Sequence, residues 1–176
     1  MSVLVLGIGN VLLQDEGVGI RAVKELERRY AFSDDVEILD GGTAGIELLR
    51  HISRRYYLII IDAMKSDHPP GTVVKVEGDD VPAAFRTRIS PHQLGLSDLL
   101  AAAMLTDELP KNIVLFGVEP ASIETGLELT EVVEASLGKL LDVVVEELRS
   151  IGCSVKPLNV SFSEKARFWD NARQVP

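Results

Sequence analysis

The chain is 176 residues long, 46% hydrophobic and 26% charged, with a formal net charge of -9. That length and balance favour one globular domain with a sizeable core and exclude a disordered chain. The negative charge argues against a nucleic-acid or anionic-membrane binder, which needs a basic face, and the single cysteine, Cys153, excludes an intramolecular disulfide and a multi-cysteine zinc site.

Residues 2–6 predict a fully buried strand: short, continuous and β-branched. It runs into Gly7-Ile8-Gly9 and a loop that ends at Asp15-Glu16. A helix is predicted over 17–30, with Gly19, Ala22, Val23, Leu26 and Tyr30 on one face and Arg21, Lys24, Glu25 and Arg28 on the other. Residues 36–39 predict a second strand, ending at Asp40-Gly41-Gly42-Thr43. A helix over about 45–53 follows, with Ile46, Leu49 and Ile52 inward. Residues 57–61 form the most apolar strand, hence the central one, and end at Asp62. Residues 65–71 are a turn by composition. Residues 72–77 alternate valine with polar residues, which suits a half-exposed edge strand. Residues 78–93 read as irregular and polar, and contain Ser90-Pro91-His92. Ser97 reads as the N-cap of a helix through Met104. Residues 113–116 predict a strand ending at Gly117-Val118-Glu119-Pro120. The last helix runs from about 130 to 150, with Val133, Leu137, Leu140, Leu141, Val144 and Leu148 as its stripe and Gly152 as its terminator.

Strands alternating with helices predict a single-domain, three-layer α/β/α sandwich: a twisted, mostly parallel five-stranded sheet with helices on both faces and one strand antiparallel. The domain is expected over residues 1–156. Residues 157–176 carry Phe162, Phe168 and Trp169 without periodicity. They read either as a loose tail or as a segment that docks on this protein or a partner. Residues 1–13 lack the basic start and cleavage site of a signal peptide, and no stretch approaches the roughly 18 apolar residues of a membrane span. A soluble, cytoplasmic protein is expected.

Ligands in such sheets bind beyond the carboxyl ends of the strands, where every site candidate falls. Gly7-Ile8-Gly9 suggests a dinucleotide site, but Leu12 stands where the third glycine belongs, and Asp15 and Glu16 would repel a pyrophosphate. A tight turn explains the glycines better. Glu16 alone reads as a favourable charge in a helix's first turn, Asp62 as a strand-end cap, and His92 as a solvated loop histidine. Together, two carboxylates at neighbouring strand ends and an imidazole on the irregular segment free to fold over that edge suit a borderline divalent ion such as zinc or nickel. Asp40 reads equally as a functional carboxylate and as a turn aspartate bonded to the backbone of Gly42 or Thr43. Cys153 lies far from the strand ends, so a covalent nucleophile is not expected there.

The segments G-x-G-N (7–10), D-E-G-x-G (15–19), D-G-G-T (40–43), I-D-A (61–63), S-P-H (90–92) and G-x-E-P (117–120), in that order, resemble the hydrogenase maturation proteases. The resemblance covers residues 3 to about 150. It implies an endopeptidase that removes a C-terminal extension from the precursor of the nickel–iron hydrogenase large subunit. It also implies metal ligation by Glu16, Asp62 and His92, with Asp40 as a further catalytic candidate. The metal would be Ni²⁺ carried by the precursor, and Zn²⁺ or Cd²⁺ could take its place. The protein would act as a monomer. A metal-dependent exopeptidase or amidase, and a non-enzymatic nickel chaperone, are the alternatives.

Overall fold

The computed structural model describes residues 2–86 and 91–158, apart from the side chains of residues 86 and 91–94. Its elements in order are β1 (Val3–Ile8), α1 (Val18–Arg29), β2 (Tyr30–Phe32), β3 (Val36–Gly42), α2 (Leu49–Ile52), β4 (Tyr57–Ala63) and β5 (Val73–Glu77). They continue with α3 (Asp80–Arg86), α4 (Pro91–Leu105), β6 (Asn112–Val118), α5 (Glu131–Ser150) and β7 (Val155–Pro157). Short 3₁₀ turns over Gln14–Gly17 and Ile46–Leu48 lead into α1 and α2.

The main sheet has the order β3-β1-β4-β6-β5. Its pairs are parallel except β5 with β6. The expected α/β architecture is therefore present, with β4 in the centre and β5 on an edge. Strands β1, β4 and β6 are buried on both faces, as their unbroken apolar runs require. Their side chains alternate between two cores. Val3, Val5, Ile59, Ile61, Val114 and Phe116 pack under α1 and α5. Leu4, Leu6, Leu58, Ile60, Ile113 and Leu115 pack under α2, α3 and α4. All six residues of the predicted α5 stripe are buried.

Three expectations are corrected. Residues 78–93 are not wholly irregular: Asp80–Arg86 is helical, with Val81 and Phe85 buried four residues apart. The next helix starts at Pro91 and not at Ser97. Leu96, Leu99, Leu100 and Ala103 form one buried row, so its first turn must precede Ser97, and Pro91 has no N–H to leave unsatisfied there. Ile46 does not face inward but is half exposed. The 3₁₀ turn shifts the helical phase, so Leu48 and Ile52 take the buried places.

A second, two-stranded ribbon pairs β2 with β7 antiparallel, so Tyr30 leaves the helix to pair with Pro157. Leu158 N–H donates to Arg29 O at 2.8 Å, closing the chain's described end onto the end of α1. Most of the 157–176 segment lies outside the described residues. Among the described residues, no helix is long and apolar enough to cross a membrane.

Candidate active site

The strand order fixes where a ligand site can form. From β1 the chain passes to β3 on one side and then returns to β4 on the other. The carboxyl ends of β1 and β4 therefore flank the switch-point crevice, the usual ligand site of an open α/β sheet. A separate cleft of about 360 Å³ opens at the amino ends of β4 and β6, beside Tyr57 and Asn112. The topology favours the crevice at the other end.

Two carboxylates reach the crevice. Glu16 lies in the 3₁₀ turn between β1 and α1, a turn that packs against β4, and is 5% exposed. Asp62 is the penultimate residue of β4 and is 0% exposed. Alternation along β4 sets its direction: Asp62 continues the row of Leu58 and Ile60, which faces α4. Oε2 of Glu16 and Oδ2 of Asp62 are both sealed from solvent.

The glycines of the first loop bring Glu16 there. Gly9 has φ of +143°, and a Cβ on it would stand 1.7 Å from Glu16 O. Gly9 N–H donates to Gly42 O at 2.9 Å and Asn10 N–H to Glu16 O at 3.2 Å. The amides a phosphate would need are thus spent on protein carbonyls, which removes the dinucleotide reading. Gly7 and Gly19 let α1 lie directly on the sheet: a Cβ on Gly19 would stand 2.2 Å from Ile61 O.

His92 falls in the first turn of α4, not on an irregular loop, and its side chain lies outside the described residues. That end of α4 borders the same region, since Gly95 meets Gly45 of the loop after β3. Among the described residues, no three His, Cys, Asp or Glu side chains gather closely enough to hold a metal. Asp40 stands level with Gly7 in the register, at the same sheet edge. Its Oδ1 accepts Gly42 N–H at 3.1 Å, the turn bond expected of it, and its Oδ2 lies 3.3 Å from Lys24 Nζ.

Two further acids of the motifs are scaffolding. Asp15 is 0% exposed. Its Oδ2 accepts the N–H groups of Ala121 and Ser122 at 2.9 and 3.0 Å, and its Oδ1 accepts Thr130 N–H at 2.8 Å. The Thr130 hydroxyl bonds both oxygens. Asp15 thus ties the loop after β6 to the turn carrying Glu16, and places a negative charge at the N-terminus of α5. Glu119 is also buried, and its Oε2 accepts Ser66 N–H at 2.5 Å and Ser66 O–H at 2.7 Å. This braces the loop that follows Asp62. His68 bonds within that loop, through Nδ1 to Ser66 O at 2.8 Å. Neither acid could be singled out from sequence, because their partners lie 53 to 115 residues away.

Asp15→Asn should cost about 3 kcal/mol in urea denaturation. Every bond to this carboxylate from the backbone arrives from a donor, so an amide turned either way sets N–H against N–H. Cys153 is buried under α5, and burial pushes its thiol up, away from the thiolate a nucleophile needs.

Comparison with known proteins agrees with this geometry. A family model described as hydrogenase maturation protease matches residues 20–147. The hydrogenase 2 maturation protease of Escherichia coli (strain K12) is 49% identical over 158 residues, covering 89% of this chain and 96% of that protein. The solved structure titled hydrogenase maturating endopeptidase HybD from E. coli superposes with a TM-score of 0.88 at 48% identity, over 92% of this chain and 100% of that one. The [NiFe] hydrogenase maturation protease HybD from Thermococcus kodakarensis gives 0.69 at 29% identity, over 84% of this chain and 99% of that one.

Proposed function

The chain belongs to the hydrogenase maturation protease family and is a peptidase; from that premise we propose that it removes the C-terminal extension of a nickel–iron hydrogenase large-subunit precursor once nickel is in place. The observation that carries this reading is the pair of buried carboxylates, Glu16 and Asp62, at the β1/β4 switch point. Two carboxylates brought to one crevice at a strand switch point are oxygen donors of the kind a borderline divalent cation takes alongside an imidazole.

In this reading the cation arrives with the substrate. Glu16 and Asp62, with His92 from the first turn of α4, would complete the shell of a nickel ion already seated in the precursor. Docking on the ion then holds the nearby scissile peptide in one place, so that recognition becomes positioning. Water would be the nucleophile, giving its proton to a carboxylate of the pair, and that proton would pass to the leaving amine. Asp40, at the same edge, is the further candidate for contact with the peptide. The protein acts in the cytoplasm as a monomer, and another divalent ion such as Zn²⁺ or Cd²⁺ can occupy the ligands.

Intact-mass analysis of the large-subunit precursor tests the proposal. Nickel-loaded precursor should lose one C-terminal fragment on incubation with this protein, and nickel-free precursor should keep its mass. Adding nickel to the latter should restore cleavage. Efficient cutting of nickel-free precursor would remove the metal from recognition. Metal transfer without any mass change would make the protein a nickel chaperone.

A further inference from the structure

The loop after β6 carries apolar side chains that the core does not use. Ile123 and Leu127 are each 44% exposed, and Leu12, on the loop after β1, is 56% exposed. The two loops are joined side by side. Leu13 forms a parallel bridge with Gly126, Gly126 N–H donates to Leu12 O at 2.9 Å, and Gln14 N–H donates to Gly126 O at 2.9 Å. These bonds hold the backbone of Leu12 and that of Leu127's neighbour Gly126 side by side, so the exposed Leu12 and Leu127 belong to adjoining stretches of surface. Asp15 N–H donates to Ser122 O at 3.2 Å, which brings the start of this loop beside Glu16's neighbour. The bonds to Asp15 described above hold the assembly rigid, so its apolar side chains are presented and not merely loose.

Every charged residue of the loop after β6, Glu119, Glu124 and Glu128, is an acid. Glu124 and Glu128 are exposed on the same loop, and Glu131 opens α5 beside it. Among the described residues, Arg21 is a cation beside this loop and is engaged: its guanidinium donates to Leu127 O at 3.0 Å and lies 3.3 Å from Glu128 Oε2. An apolar surface framed by acids selects an apolar segment that carries bases.

We propose that Leu12, Ile123 and Leu127, framed by Glu124 and Glu128, form the surface on which the precursor polypeptide docks through an apolar segment bearing lysine or arginine. This rests on the peptidase reading above and adds the part of the substrate that the crevice does not hold. The nickel site supplies the geometry of the cut, and the docking surface supplies affinity for the protein that carries the nickel. The two contributions separate kinetically, because uniform binding acts on KM and not on kcat.

Steady-state cleavage of nickel-loaded precursor by the full chain is the test. The double variant Ile123→Asp/Leu127→Asp should raise KM about tenfold, with kcat within about twofold of wild type. Glu124→Lys/Glu128→Lys should raise KM at low salt, and the salt dependence of the wild type should weaken in this variant. Leu105→Asp changes a leucine that is 89% exposed at the far end of α4, and should leave KM unchanged. Circular dichroism confirms that each variant is folded. If either variant fails to fold, Ile123→Ser and Leu127→Ser singly take its place, each with a smaller rise in KM expected. A wild type that cuts the precursor, with KM indifferent to these substitutions, overturns the docking surface and leaves the peptidase reading intact. A wild type that leaves the precursor uncut overturns the peptidase reading instead. In that case, loss of precursor binding by the double variant in calorimetry would still support the surface, and equal binding would defeat it.

Discussion

Glu16→Gln and Asp62→Asn should each lower processing of nickel-loaded precursor by about 10²–10³-fold and leave a folded protein. Each change keeps the size of a side chain sealed in the crevice and removes one negative charge. An amide is a poor ligand for a borderline cation and a poor base for water. The loss should therefore appear in cleavage and in affinity for Ni²⁺ alone. Because each variant keeps the side chain's shape, near-ultraviolet circular dichroism should match the wild type. Measured rates equal to wild type in both variants would take the two carboxylates out of the reaction.

Asp62 was conspicuous in the sequence because a charge closes the most apolar strand, and Glu16 because an acidic pair closes the loop after β1 and opens a helix. The strands were legible because β1, β4 and β6 are continuous apolar runs, and burial on both faces leaves them no other arrangement. What escaped is structure set by distant partners. The β2–β7 ribbon is three residues long on each side, too short for a period to show. Asp15 and Glu119 look like any other acid until their partners arrive from the far part of the chain. Ile46 was misplaced because the turn is 3₁₀, with three residues per turn in place of 3.6. The helix at 80–86 is hidden in the sequence because it is only seven residues long, carries a proline at position 82 and shows just two large buried positions, Val81 and Phe85.

The second large effect is on stability. Gly19→Ala should cost more than about 4 kcal/mol, a large share of the roughly 5–15 kcal/mol that holds a domain together. The added Cβ would lie 2.2 Å from Ile61 O, 2.3 Å from Ile8 O and 2.8 Å from Ile8 N. All three atoms are backbone of β1 and β4, which are central strands, so no rotamer change can make room. Helix α1 would have to lift off the sheet and carry the turn holding Glu16 with it. Gly138→Ala is the matched control in α5: nothing lies within 4 Å of its Cβ. It should gain about 0.5–1 kcal/mol from helix propensity. Urea denaturation of the two variants reads both signs in one experiment. Near-equal stabilities would show that α1 does not sit on the sheet as described.

The bonds between Asp15 and residues 121–130 join parts of the chain separated by 106 to 115 positions. Contacts that far apart form late, because a long loop must close before they can contribute. During synthesis both Glu16 and Asp62 leave the ribosome well before Thr130 exists. A nascent chain therefore carries its acids for a long interval without the clamp that sets one of them in place. The turn that carries Glu16 is thus clamped only after the chain has been made past Thr130 and folded back onto its beginning.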